Sequence, residues 1–128
     1  MSLTYKFNDA SNGDPDAVRE APETDNNIER FETSGGIRNV CFVDAQGNEE
    51  FFNYAYLVKG KYVPEENTIA LTFSSDVVTL KGRNLAGLFN ELGAQVPKRI
   101  VTLDKRYEAT KGEAETFVTE IAVQKFQV

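Results

Sequence analysis

The chain has 128 residues, a net charge of −6, no histidine and a single cysteine. That length suits one domain of roughly 100–150 residues. The missing histidine removes Ser-His-Asp and Cys-His catalysis and every His-ligated metal site. One cysteine supplies neither an intrachain disulfide nor an all-cysteine zinc site.

No run of about 18 apolar residues is present, so no membrane-spanning helix is expected. The opening MSLTYKF is followed at once by Asn8 and Asp9 and lacks the apolar stretch of about 7–15 residues that a secretory signal needs. The chain as given therefore reads as cytoplasmic. Its charge is uneven: residues 1–36 hold eight acids and three bases, residues 76–128 seven acids and eight bases. An acidic chain repels phosphate backbones at long range, which disfavours nonspecific nucleic-acid binding but leaves room for a local basic patch.

In chain order, Leu3, Tyr5 and Phe7 would share one face of a short N-terminal strand. Residues 8–36 are rich in Asp, Glu, Asn, Gly and Pro, with only Val18, Ile28 and Phe31 as large apolar residues. Such a segment cannot bury enough surface to offset its own ordering entropy. We read 1–36 as an acidic tail or long surface loop, and 37–128, after Gly35-Gly36, as a single β-rich domain. The oxygen-rich Asp9 to Asp16 stretch (DASNGDPD) misses the EF-hand pattern, so no metal is assigned.

Ile37 to Val43 reads as a strand, Asp44 to Asn48 as a turn in which Gly47 is free to take positive φ, and Glu49 to Val58 as the returning strand. Gly60 and Pro64 to Asn67 mark a break. Thr68 to Phe73 alternates cleanly, with Ile69, Leu71 and Phe73 on one face. After Ser74-Ser75-Asp76, Val77 to Leu80 forms another strand. A helix follows at about Asn84 to Leu92, with Leu85, Leu88, Phe89 and Leu92 at i, i+3, i+4 and i+7. Asn84 suits its N-cap and Gly93 the residue just past its end. Gly87 in its interior marks a possible close approach to a strand. Val96-Pro97 blocks extension. Lys98 to Leu103 and Phe117 to Phe126 read as closing strands, with a turn at Lys111-Gly112-Glu113. Phe117, Ile121 and Val123 would share one face of the last strand. The order is β-β-β-β-α-β-β. It predicts an α+β, mostly β fold: a largely antiparallel sheet or small barrel or sandwich, with the helix packed on it.

The run from Ile69 to Phe89, IALTFSSDVVTLKGRNLAGLF, resembles a segment of small uncharacterised bacterial proteins in which an apolar strand, short turn, second strand, Gly-Arg and Leu-rich helix occur in the same order. The resemblance covers about a sixth of the chain, implies no activity and carries over no site residues.

Three features bear on function. Phe51, Phe52, Tyr54, Tyr56 and Tyr62 crowd one region, and Phe52, Tyr54, Tyr56 and Val58 would share a strand face. That face is read as packed within the chain or as an interface with a protein partner or a second copy, formed by Phe52, Tyr54, Tyr56 and Tyr62. A stacking platform for bases or sugars is the alternative, with only Lys59 and Lys61 to support it. Lys81-Gly82-Arg83-Asn84 precedes the helix, where free N–H groups and cations could hold an anion. Lys98 and Arg99 could complete such a site, and Lys105 and Arg106 add charge. Glu49-Glu50 and Glu65-Glu66 are adjacent acids that a strand would send to opposite faces, while Glu113 and Glu115 could share one. Carboxylate-based hydrolysis is therefore the weakest reading. Cys41, in an apolar run with Arg38 on the opposite face, reads as a small buried hydrophobe. No catalytic residue and no cofactor is assigned. The leading expectation is a non-enzymatic binding or assembly module.

Overall fold

A computed structural model describes residues 27–33, 35–106 and 115–126. The expectations for the N-terminal strand, the Asp9 to Asp16 stretch, the turn at Lys111 and Glu113 fall outside these. The described chain forms two four-stranded sheets and one helix, the α+β, mostly β architecture expected, with neither sheet closed into a barrel.

The first sheet contains β1 (Ile28–Arg30), β2 (Asn39–Val43), β3 (Glu49–Asn53) and β7 (Pro97–Val101), in the order β1-β7-β2-β3. Its β2–β7 pair is parallel and the others antiparallel. Ile28 lies opposite Ile100 and is buried in the core, within the range read from sequence as tail or surface loop. Phe31 packs against the same core and its N–H donates to the Val96 carbonyl at 2.9 Å, so two large apolar residues and the open edge of β7 hold this short strand.

The second sheet contains β4 (Leu57–Val63), β5 (Thr68–Phe73), β6 (Asp76–Arg83) and β8 (Phe117–Lys125), in the order β4-β5-β6-β8, antiparallel throughout. The alternation of Ile69, Leu71 and Phe73 points these side chains inward as expected, and all three are buried.

Phe73 joins the layers. The Phe52 ring stacks on it at 4.5 Å, and Phe42 meets it edge-on at 6.4 Å. The start of β3 shares a cleft with Ile121 and Val123 of β8, while its end leads into β4 at the opposite edge of the second sheet. β3 thus extends from beside β8 to the β4 edge of the second sheet.

Three expectations about the strands are corrected. The strand expected over Glu49 to Val58 is broken by a 3-10 turn at Tyr54–Tyr56, where the Asn53 side chain accepts the Ala55 N–H at 2.8 Å. The chain changes sheet there, so the alternation of one strand does not carry into the next. Gly60 lies inside β4 rather than at a break: an added Cβ would meet the Phe89 ring at 3.4 Å. In β8, a bulge opposite Lys81 and Gly82 shifts the phase, so Val118, Ile121 and Val123 all join the core alongside the separately buried Phe117.

The helix α1 spans Ala86–Gly93. Leu85, Leu88 and Leu92 are buried as the apolar stripe requires, and Phe89 packs on Tyr62 at 5.7 Å between ring centroids. Asn84 is not its N-cap. It takes the left-handed conformation (φ 56°), donates from Nδ2 to the Glu115 carbonyl and accepts from the Thr116 hydroxyl. Asparagine tolerates that conformation, and these partners beside β8 replace the cap bond. At the other end Gly93 is still helical, and Gln95 takes the positive φ (61°). Gly87 is exposed with open space about its Cα, so it marks no close approach.

Candidate functional site

The basic residues before the helix divide into two groups. Lys81 and Arg83, at the end of β6, line a cleft of about 450 Å³ with Gly82, Glu66, Asn67, Phe117, Thr119, Glu120 and Lys105. Lys105 comes from the connection between β7 and β8; its place beside Lys81 and Arg83 has no local signal in the sequence. The Arg83 guanidinium lies 4.8 Å from the centroid of the buried Phe117 ring. Gly82 makes the close β6–β8 approach possible, since a Cβ there would fall 2.0 Å from the Phe117 carbonyl oxygen. The cleft therefore holds three cations opposed by Glu66 and Glu120.

Arg99 and Lys98 do not line that cleft. Arg99 reaches across the outer face of the first sheet to Glu49 at 2.8 Å and approaches Glu29 at 4.0 Å. The hydrogen bond from Arg99 and its charge hold the Glu49 carboxyl below the usual range. Lys98 is exposed at the neighbouring position of β7. Asn84 is engaged with Glu115 and Thr116 as described.

Cys41 lies opposite Arg99 in the β2–β7 register and is half-buried rather than buried. Its Sγ is 3.9 Å from Arg99 Nη1 and 3.7 Å from Glu49 Oε1. Burial pushes the thiol up, outweighing the arginine's opposite pull. A cation thus does approach Cys41, from a strand distant in sequence, without activating it.

A second cleft, about 260 Å³, brings Asp44, Glu49 and Glu50 near Phe42, Ile121 and Val123. Its acids are largely committed. Asp44 is the acceptor of the β2–β3 turn, taking the Gln46 and Asn48 N–H groups at 2.9 Å each and the Asn48 amide at 3.1 Å. Slight burial raises its pKa, but those bonds and the Gly47 N–H outweigh it and leave the carboxyl below its ordinary value. Glu49 holds Arg99, and Glu50 stands in register with Phe42 on the other face, as alternation requires. Glu65 and Glu66 are exposed in a 3-10 turn. Among the described residues no group of three His, Cys, Asp or Glu could hold a metal ion.

The aromatic region separates as well. Phe52 stacks on Phe73. Tyr54 is 2% exposed and donates its hydroxyl to the Pro97 carbonyl; burial, the main cause, raises its pKa. Tyr62 is half-buried against Phe89. Of the four residues read as an interface, only Tyr56 faces solvent. It is joined by residues to which the sequence drew less attention. Tyr56 is 60%, Val58 71% and Phe126 45% exposed. Ser74 N–H donates to the Tyr56 carbonyl and Phe126 N–H to the Ser75 carbonyl, both at 3.0 Å. These bonds place Tyr56 and Phe126 on either side of the β5–β6 turn, at one end of the second sheet. Val58 stands there too, as the extra residue of a β4 bulge beside Phe73 and Thr72.

No described helix is long and apolar enough to cross a membrane. No protein-family model, no curated protein and no solved structure matches the chain.

Proposed function

We propose that this chain is a non-enzymatic binding or assembly module that engages a protein through the end of its second sheet. The observation that carries this reading is the exposure of Tyr56, Val58 and Phe126 around one turn. Large apolar side chains from the Tyr56 to Val58 stretch and from Phe126, held at one end of the second sheet and left in water, are what an interface covers. The proposal narrows the aromatic strand surface expected from sequence to Tyr56 and Val58 and adds Phe126 from just beyond β8.

Light scattering during size-exclusion chromatography tests it, with the full chain and a Tyr56→Ser/Val58→Ser variant. Self-assembly predicts a mass that rises with concentration and returns to the monomer in the variant. A separate partner predicts a monomer that retains proteins on affinity isolation, lost with the folded variant. A monomer at every concentration, with the same proteins recovered by both forms, would refute the module.

A second reading has a specific observation in its favour: Lys81, Arg83 and Lys105 share one cleft. An anion bound there would shift the amide resonances of residues 81–85 and 105 on titration with inorganic phosphate at low salt. Unchanged resonances would end that reading. Carboxylate-based hydrolysis has no comparable support, since Asp44 and Glu49 are engaged in structural contacts.

A further inference from the structure

We infer that β4 is a docking edge for an extended acidic peptide of a partner protein, which would add as a fifth strand to the second sheet. The inference rests on the reading of the chain as a binding module and names the chemistry of its partner. Three observations carry it.

β4 ends the sheet, paired with β5 on one side and with no other described strand on its second side. An edge strand sends alternate N–H and C=O groups outward, which an extended peptide can satisfy. The regular stretch available is Lys59 to Val63, beyond the bulge at Val58.

The charge on this edge is unbalanced. Lys59 and Lys61 share the outer face, and no described carboxylate pairs with either. Lys59 continues across the sheet through Thr72, Val77 and Gln124, and Lys61 through Ala70, Thr79 and Ala122, two rows without an acid. In a chain of net charge −6 that is a local basic edge.

The same lysines argue against a second copy. Antiparallel β4–β4 pairing centred on Gly60 would set Lys59 of each copy against Lys61 of the other, and like charges directly opposite destabilise a ladder. An incoming strand with acids two residues apart reverses the sign. Its intervening residue would face inward beside Gly60, where the Phe89 ring lies 3.4 Å from the position of a Cβ. The matching pattern is acid–apolar–acid.

The test is fluorescence anisotropy with a labelled seven-residue peptide centred on Glu-Val-Glu, added to the full chain at low salt. Binding should weaken about tenfold in a Lys59→Glu/Lys61→Glu variant and be lost when lysines replace the peptide's acids. It should also be lost when alternate peptide amides are N-methylated in one of the two possible phases, because only one phase faces β4. The amide resonances of Lys59 to Val63 should shift. No binding, or binding insensitive to both the lysine reversal and N-methylation, overturns the inference. So does binding that appears only after Glu23 and Asp25 are neutralised, which assigns the edge to this chain's own acidic N-terminal residues. A dimer abolished by changes in β4 also overturns it but leaves the module reading intact. If the chain neither binds the peptide nor depends on Tyr56 and Val58 for any association, both fail.

Discussion

Gly82 and Gly87 have opposite environments, and replacing each with alanine tests the packing of the second sheet. At Gly82 the added Cβ would fall 2.0 Å from the Phe117 carbonyl oxygen and 2.9 Å from the Val118 Cα, where 3.0 Å is already tighter than real contacts. The obstructing atoms are backbone, so no rotamer change relieves them, and β6 and β8 must part by about 1 Å. Overpacking of this kind costs about 1–3 kcal/mol, and a weakened ladder hydrogen bond adds about 1 kcal/mol. Reduced freedom of the unfolded chain returns about 0.4–1 kcal/mol. The net expectation is a loss of about 2–3 kcal/mol. At Gly87, an exposed helical position with nothing within 4 Å, alanine should gain about 0.5–1 kcal/mol. Urea denaturation followed by circular dichroism gives both values. A Gly82→Ala loss under about 0.5 kcal/mol would refute the close β6–β8 approach, and with it the shape of the Lys81–Arg83 cleft.

Phe52→Ser should cost about 2–4 kcal/mol through its lost stacking on Phe73, whereas Tyr56→Ser should stay within about 0.5 kcal/mol; similar values in urea melts would overturn the division of the aromatics. Tyr54→Phe leaves the buried Pro97 carbonyl without its hydroxyl donor and should cost about 1–2 kcal/mol, while Tyr56→Phe should be neutral. Asp44 and Glu49 both have folded-state pKa values below their ordinary 3.8 and 4.5. Their contribution is therefore complete above those values and lost as pH falls through the lowered folded-state ones. Melting temperature between pH 5 and about 2 should drop less steeply in Asp44→Asn/Glu49→Gln than in the parent chain, and identical profiles would contradict the assignment.

The periodic elements were legible because their signals are local. The 2-residue alternation of Ile69, Leu71 and Phe73 and the stripe of Leu85, Leu88 and Leu92 require only that one face meet a core. The Asp44 to Asn48 turn was legible for the same reason, since its hydrogen bonds close within five residues. The candidate sites were less so. Lys81 and Arg83 belong to one cleft, as their proximity in sequence suggested. Lys98 and Arg99 do not, because β7 belongs to the first sheet, where Arg99 turns to Glu29 and Glu49.

The β-rich class, the helix and the hairpin follow from residue order alone, as does an inventory that excludes histidine chemistry. Which aromatics are surface depends on the packed fold. The strand expected over Glu49 to Val58 changes sheets at Tyr54–Tyr56, so one alternating pattern meets two cores and its phase is lost. Asn84, Lys105 and the β8 bulge share this dependence. Each is settled by a partner distant along the chain, and no local propensity encodes which partner that is.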